Sequence, residues 1–162
     1  MLIRKATFQD IKTIHHLAHQ TWWPTYSNVI PSEQIEFMLQ EIYSTEALKQ
    51  QMQEGNTFLI AEREARPIAF ASFSLMDPAQ KVYKLHKLYV HPSEQGKGSG
   101  KKMIDEVAAL SKSLGGEILE LNVNRNNPAF SFYQKLGFEI YQIVDIPYHQ
   151  FILNDFIMRK AL

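Results

Sequence analysis

The chain has 162 residues, and its 17 basic and 17 acidic side chains give a formal net charge of zero, which argues against bulk attraction to nucleic acid. A hydrophobic fraction of 45% with no run of membrane-spanning length indicates one soluble domain, residues 1–162, and no membrane partner. The absence of cysteine excludes disulfides and thiolate metal sites and fits a cytoplasmic protein.

The first third of the chain predicts one strand and three helices. A short strand over Met1–Ala6 precedes a capping box, in which Thr7 and Asp10 predict a helix start. Apolar residues at helical spacing then form three successive segments. Pro31 suits the first turn of the second segment, and Gly55 is placed to end the third.

Strands and helices alternate in the rest of the chain. Thr57–Glu62 and Ile68–Met76 predict a hairpin with a tight turn around Arg66-Pro67, and Val82–Val90 predicts a third strand. A helix, a strand, a helix and two closing strands are predicted at Lys101–Leu114, Ile118–Val123, Asn126–Leu136, Phe138–Ile146 and Phe151–Arg159. This order predicts a mixed α/β (α+β) domain without internal repeats.

The most informative stretch joins the strand that ends at Val90 to the next helix. Its residues from Gln95 to Lys102 include three glycines and three lysines. Glycine lets the backbone approach a ligand closely, and the free N–H groups at a helix start favour an anion. Residues 81–102 carry six lysines against one glutamate, which suits a phosphorylated ligand. The sequence therefore predicts a polyphosphate site, with a glycine-rich surface turn that binds nothing as the alternative.

Two common phosphate-binding patterns do not fit this stretch. A P-loop requires a glycine five residues before its Gly-Lys pair, where this chain has Gln95, and Ser or Thr after the pair, where it has Lys102. A Rossmann fingerprint requires a third glycine three residues after the second, and the chain has Lys101 or Met103 there.

Two motifs resemble those of the GCN5-related N-acetyltransferases. Gln95, Gly98 and Gly100 match the Gln-x-x-Gly-x-Gly loop that binds the pyrophosphate of acetyl-CoA in that family. About thirty residues later, Asn126 to Phe138 resembles the Asn-x-x-Ala-x-x-(apolar)-Tyr-x-Lys-x-Gly-Phe signature. The resemblance is strongest over residues 57–140. The N-terminal helices and the segment Asn154–Met158 look more loosely like a bacterial subgroup that includes spermidine/spermine acetyltransferases.

The resemblance implies a mixed central sheet of about seven strands flanked by helices and acetyl-CoA as cosubstrate. The histidines show no metal-ligand spacing, so no metal is expected. The backbone from Gly96 to Lys101 would bind the pyrophosphate, and the strand Leu88-Tyr89-Val90 would pair with the pantetheine arm. The residues implied in binding acetyl-CoA are Leu88, Tyr89, Val90, Gln95, Gly96, Lys97, Gly98, Ser99, Gly100, Lys101, Asn126, Phe132, Tyr133 and Lys135.

Direct attack of an amine on the thioester needs no covalent enzyme intermediate, and the chain has no cysteine for an acyl-cysteine route. The family resemblance implies that the Val90 amide polarises the thioester carbonyl and that Tyr133 is the general acid. His86 is the candidate base, at a position where relatives often carry glutamate, and alternation places it on one strand face with Lys84 and Leu88. A water chain or a glutamate from the helices is the alternative base.

The acceptor is expected to be a small cationic amine such as a polyamine, or a protein or peptide amine. Five glutamates in the helices before the hairpin would line its side of the cleft: Glu33, Glu36, Glu41, Glu46 and Glu54. Trp23 and Tyr26, with the neighbouring Trp22, are candidate substrate-binding residues through cation–π contacts. A homodimer is a further possibility.

Two competing functions follow from the same residues. A non-catalytic acyl-CoA-binding sensor or regulator would share the fold, although the presence of Tyr133 argues against it. A nucleotide-binding protein would use the glycine loop alone, and preferential stabilisation by ATP over acetyl-CoA would distinguish it.

Overall fold

One seven-stranded sheet organises the chain in the computed structural model, which describes residues 1–162. The strands are β1 Leu2–Lys5, β2 Thr57–Arg63, β3 Arg66–Asp77, β4 Val82–Val90, β5 Ile118–Asn124, β6 Glu139–Tyr148 and β7 Phe151–Ala161. The helices are α1 Ile11–Tyr26, α2 Ser32–Tyr43, α3 Thr45–Gln53, α4 Ser99–Ser113 and α5 Ala129–Lys135. The strand order is β1-β2-β3-β4-β5-β7-β6, with β4 and β5 parallel and all other pairs antiparallel. The predicted fold class and element order are confirmed.

Helices cover the sheet on both faces. On one face α1, α2 and α3 pack around a core that includes Ile14, Trp22, Ile35, Leu48, Phe58 and Phe70. On the other face α4 and α5 pack around Met103, Val107, Leu121, Tyr133, Phe138 and Met158. Each fully buried side chain of this kind contributes about 1.5–3 kcal/mol, so both helical layers are held firmly against the strands. None of the helices combines the length and apolar composition needed to cross a membrane.

The N-terminal helix α1 extends past Pro24 to Tyr26. The Thr7–Asp10 capping box is present, and it closes a 3-10 turn that leads into α1. The helix then continues through Pro24, which removes one backbone hydrogen bond near its C-terminal end. Trp22 and Tyr26 therefore lie on the helix, four residues apart and on one face.

The hairpin between β2 and β3 turns two residues earlier than predicted. Glu64 and Ala65 occupy the turn with φ of +53° and +61°, and Arg66 and Pro67 already belong to β3. Two positive φ angles are typical of a type I′ turn, whose twist matches that of the flanking strands even without glycine.

The sheet opens between β4 and β5. These strands pair only from Val82 to Leu85 on one side and from Ile118 to Leu121 on the other. In addition, Ser72 and Phe73 of β3 face Lys87 and Leu85 of β4, so His86 is an extra residue in a bulge. Beyond this point β4 and β5 diverge and leave a gap in the sheet.

Candidate active site

The candidate site is the opening between β4 and β5, beyond the last pairing at Leu85. His91 N–H donates to the Ile68 carbonyl at 2.8 Å, which shows that every second residue back from His91 along β4 directs its N–H and carbonyl groups towards β3. The alternation of an antiparallel pair then directs the N–H and carbonyl groups of Leu88 and Val90 away from β3 and into the opening. Their side chains pack against the core under α4, so the groups free to meet a ligand are those of the backbone.

A cleft of about 900 Å³ runs from this opening to the glycine loop and to the C-terminal half of α1. It brings together most of the predicted site residues: His86, Leu88, Tyr89, Val90, Gln95, Gly96, Gly98, Ser99, Gly100, Lys101, Phe132, Tyr133 and Tyr26. Four predicted residues do not line it: Trp23, Lys97, Asn126 and Lys135. Trp23 is turned away because one step along a helix rotates a side chain by about 100°, and Trp22 lies at the cleft instead.

Free backbone N–H groups line the glycine loop. The first helical bond of α4 runs from Lys102 N–H to the Gly98 carbonyl at 3.1 Å, and the amides of residues 96–101 donate to no backbone group. Gly96 and Gly98 have φ of +78° and +79°, and a Cβ added to either would meet no atom within 4 Å. Six consecutive free amides beside open space and a helix N-terminus suit a pyrophosphate.

Gly100 has a different role from the two glycines before it. A Cβ at this position would lie 3.1 Å from the Phe132 ring and 3.7 Å from Val90 Cγ2. Glycine therefore lets the start of α4 approach both α5 and β4 closely, which brings the free amides next to the opening in the sheet.

The loop is fastened to the hairpin turn by a buried carboxylate. Glu94 is only 2% exposed, and its oxygens accept from Arg63 and Arg66 at 3.0 Å each. Burial opposes ionisation of Glu94, but Arg63 and the nearby Lys97, 3.6 Å away, more than offset it and lower its pKa. Lys101 is likewise paired, at 2.6 Å from Asp105, so part of the positive charge of the loop is used within the protein.

Tyr133 lies where α5 faces the opening. Its ring packs against Phe132 and Phe138, with centroids 5.3 and 5.8 Å away. The hydroxyl makes no hydrogen bond within the protein and is not sealed off from the cleft, and burial of the side chain raises the pKa of Tyr133. The phenol therefore stays protonated at neutral pH and is free to donate.

The start of α5 differs from the prediction. The helix begins at Ala129, and the Asn127 side chain accepts from the Ala129 N–H at 2.9 Å. Asn127 thus satisfies a free N–H at the start of the helix, and it is Asn127 rather than Asn126 that lines the cleft. Asn126 is exposed, and its backbone N–H donates to Asn124 Oδ1 at 2.9 Å.

His86 projects from the bulge of β4. Its Nε2 lies 2.7 Å from Ser74 Oγ, and its ring keeps access to solvent. Partial desolvation in the cleft and the charges of Lys87 and Lys84 lower the pKa of His86 to about 4, so the imidazole is neutral at physiological pH.

The prediction that Lys84, His86 and Leu88 share one strand face is wrong. Leu85 and Leu88 both pack towards α4, although they are three residues apart. The bulge residue interrupts the alternation, so Lys84 and Leu88 lie on opposite faces of β4.

Aromatic side chains form the wall of the cleft below α1 and α2. The hydroxyls of Tyr26 and Tyr89 lie 3.0 Å apart, and Trp22 packs against Tyr26 and Tyr43 with ring centroids at 4.5 and 5.5 Å. Burial raises the pKa of Tyr26, Tyr43 and Tyr89, and these phenols remain neutral. The wall therefore offers ring faces and hydroxyls to a ligand.

The predicted acidic groove is not present. All five helix glutamates are exposed, and none of them lines the cleft: Glu33, Glu36, Glu41, Glu46 and Glu54. They lie on the outer faces of α2 and α3, because the apolar residues of these helices take the side that packs on the sheet.

Sequence reasoning missed Asp155, a cleft residue on β7. It is only 9% exposed, and its carboxylate accepts one hydrogen bond, from Asn122 Nδ2 at 3.5 Å. Burial raises the pKa of Asp155, against the opposing effects of Asn122, Lys84 and Arg125. The available signal was a charged residue in the run from Phe151 to Met158, whose other residues except Asn154 are apolar.

Comparisons with known proteins agree with this architecture. A model described as the acetyltransferase (GNAT) family matches residues 15–138. The spermidine N(1)-acetyltransferase of Thermoplasma acidophilum is 30% identical, over 98% of this chain and 95% of its own length. The crystal structure of PaiA N-acetyltransferase from T. acidophilum in complex with coenzyme A superposes with a TM-score of 0.86 at 30% identity, covering 99% of this chain and 98% of that one. A GCN5-related N-acetyltransferase from Rhodopseudomonas palustris has the same fold, with a TM-score of 0.83 at 22% identity over 99% of this chain and 95% of that one.

The matched region contains both the glycine loop and the Tyr133 motif. The similarity to a named N-acetyltransferase extends along nearly the whole of both chains. The chain belongs to the acetyltransferase (GNAT) family and is an acyl-CoA-dependent N-acetyltransferase.

Proposed function

We propose that this protein transfers the acetyl group of acetyl-CoA to a primary amine of a small cationic acceptor, a polyamine such as spermidine. The observation that carries the proposal is the opening between β4 and β5, which leads directly to the free amides at the start of α4. The identity to a spermidine N(1)-acetyltransferase supports the choice of acceptor. An amine at a protein or peptide terminus is the second acceptor class.

The backbone of β4 and the glycine loop would bind acetyl-CoA. The N–H and carbonyl groups of Leu88 and Val90 would pair with the amides of the pantetheine arm, in the manner of one more strand. The amides from Gly96 to Lys101 would bind the pyrophosphate. Asn126, Lys97 and Lys135 lie outside the cleft lining, so in this proposal they contact the cosubstrate only at its outer parts.

Three groups of the chain would carry the chemistry, with acetyl-CoA supplying an activated thioester. The Val90 N–H would donate to the carbonyl oxygen as negative charge develops there. His86 would accept the proton of the attacking amine, since its imidazole is neutral at working pH. The low pKa that keeps the ring neutral also makes it a weaker base than a free imidazole. Tyr133 would donate its phenolic proton to the departing sulfur, a role that its protonated and unpartnered hydroxyl at the cleft supports.

A CoA-release screen with acetyl-CoA and a panel of polyamines, amino acids, aminoglycosides and peptides tests the proposal. Spermidine or a related polyamine should give the highest kcat/KM. A preference for peptides would assign the second acceptor class. Acetyl-CoA binding by calorimetry without turnover of any amine would favour a sensor, and stabilisation by ATP but not acetyl-CoA would favour a nucleotide-binding protein.

A further inference from the structure

The cleft contains one carboxylate that is neither paired within the protein nor used by the proposed chemistry. We propose that Asp155 binds an ammonium group of the acceptor other than the amine that is acetylated, so that the enzyme selects diamines and polyamines over monoamines. This inference rests on the proposed function and names the residue that would determine its acceptor specificity.

Asp155 is a carboxylate without a cationic partner. The side chain is nine-tenths buried, lines the cleft and forms no ion pair within 4.0 Å. Its one hydrogen bond, from Asn122, involves Oδ2 at 3.5 Å, and no group of the protein donates to Oδ1. A buried carboxylate in this condition favours a ligand that brings positive charge and several N–H donors.

The other carboxylate of the cleft and one of its lysines are already paired. Glu94 is held by Arg63 and Arg66, and Lys101 is paired with Asp105. Asp155 is therefore the one lining carboxylate that is free to meet a cation. Lys84 also lines the cleft and acts on Asp155 through its charge, so it competes with a cationic acceptor for this site.

The position of Asp155 in the sheet indicates which ammonium group it can reach. Asp155 pairs in register with Asn124, so β5 stands between it and the opening beside Val90. Strands lie ~4.8 Å apart, which places β7 ~10 Å from the axis of an arm bound next to β4 in that opening. One ammonium group cannot reach both Asp155 and a carbonyl on that axis, whereas the two amines of a diamine can bridge the distance.

The side chain also projects to the face from which an acceptor would enter. Leu153 packs on the core under α1 and α2, while Phe156 packs on the opposite core. Strand alternation therefore places Asp155 on the same face as Leu153 and the aromatic wall of Tyr26. The charge of Asp155 contributes to the raised pKa of Tyr26, which agrees with this placement.

Putrescine and butylamine provide matched acceptors that differ by one ammonium group. We expect the wild-type protein to prefer putrescine in kcat/KM. Asp155→Asn should lower kcat/KM for putrescine and spermidine at least 30-fold and change that for butylamine less than threefold. Asn fits the site, because its amide can donate to Asn122 Oδ1, which is buried and has no partner.

Glu139→Gln is the control, since Glu139 is an exposed carboxylate on β6 that lies outside the cleft. It should leave the diamine preference unchanged. Lys84→Met should raise the preference for putrescine over butylamine in kcat/KM. If Asp155→Asn is unstable, the preference of Lys84→Met tests the inference in its place. Equal losses for both acceptors, or no loss, would overturn the inference while leaving the proposed function intact. Wild-type protein that acetylates no amine at all would refute the proposed function itself.

Discussion

The imidazole of His86 lies 2.7 Å from the hydroxyl of Ser74, measured from Nε2 to Oγ, where the register of β3 and β4 shifts. A hydroxyl can donate to a ring nitrogen or accept from it, so this hydrogen bond forms with either tautomer of His86. The bulge thus places the imidazole against Ser74, and this hydrogen bond holds the ring in position.

His86→Ala tests the proposed base. The imidazole accepts a proton only when neutral, and its pKa is lowered to about 4. In wild-type protein kcat/KM should therefore be insensitive to this group from pH 5 to 8 and fall as the pH drops through about 4. The variant should lose at least tenfold in kcat/KM at pH 7 and lose this acidic limb. An unchanged pH–rate profile would instead indicate water or another carboxylate as the base. Circular dichroism at each pH separates loss of activity from unfolding.

Tyr133→Phe should lower kcat about 100-fold with little change in the dissociation constant for CoA, because the lost proton acts only on the leaving sulfur. Pre-steady-state kinetics and calorimetry provide the two measurements. Tyr83→Phe is a suitable control, as Tyr83 is buried in the same core but does not line the cleft. Full kcat in Tyr133→Phe would mean that the thiolate leaves unprotonated.

Gly98→Val should abolish measurable CoA binding. The valine side chain would occupy the open space beside the loop, and a left-handed backbone disfavours it by about 1–2 kcal/mol. Gly55→Val is a matched control, since Gly55 has φ of +98° and also meets no atom within 4 Å, but lies away from the cleft. Both variants should lose similar stability, and only Gly98→Val should lose affinity in calorimetry. Equal CoA affinities would remove the loop from the binding site.

Lys87→Met should stabilise the protein at neutral pH. Desolvation lowers the pKa of Lys87 to about 8, and its Nζ, 5.6 Å from the ring centroids of Tyr43 and Phe58, has no carboxylate partner. The unfolded chain binds the Lys87 proton more tightly than the folded protein does. The buried charge therefore destabilises the folded state fully below pH 8, and this destabilisation disappears as the pH rises to 10.5. We expect a gain of about 1–3 kcal/mol at pH 7 that shrinks above pH 8.

Urea unfolding at pH 7 and pH 10 measures this gain, with Lys49→Met on the exposed side of α3 as the control. The control should change stability little at either pH. A gain that is the same at both pH values would show that the effect is due to packing rather than to the charge of Lys87.

Local patterns were enough to predict the strand bounds Val82–Val90 and the order of the elements. The spacing of apolar residues and the turn residues depend only on positions close together in the sequence. The glycine loop could also be predicted, because a backbone that approaches a ligand closely requires glycine at particular positions of the sequence. These features locate the cosubstrate side of the cleft.

The acceptor side depends on relationships that a linear pattern does not contain. The bulge at His86 arises from the register of two strands, and it overturned the predicted strand face. Trp22 rather than Trp23 lines the cleft because α1 continues through Pro24. Asp155 reaches the site only because the last strand inserts between β5 and β6.

The buried pairing of Glu94 with Arg63 and Arg66 has a consequence for the energetics of ligand capture. The loop is held in shape by a hairpin that lies about thirty residues earlier in the chain. Little conformational entropy then remains to be lost when the pyrophosphate arrives, so more of the contact energy becomes affinity. The β2–β3 turn, although distant from the reacting groups, thereby holds the cosubstrate site rigid. Loss of its contacts with Glu94 would lower the affinity for the cosubstrate rather than the rate of the chemical step.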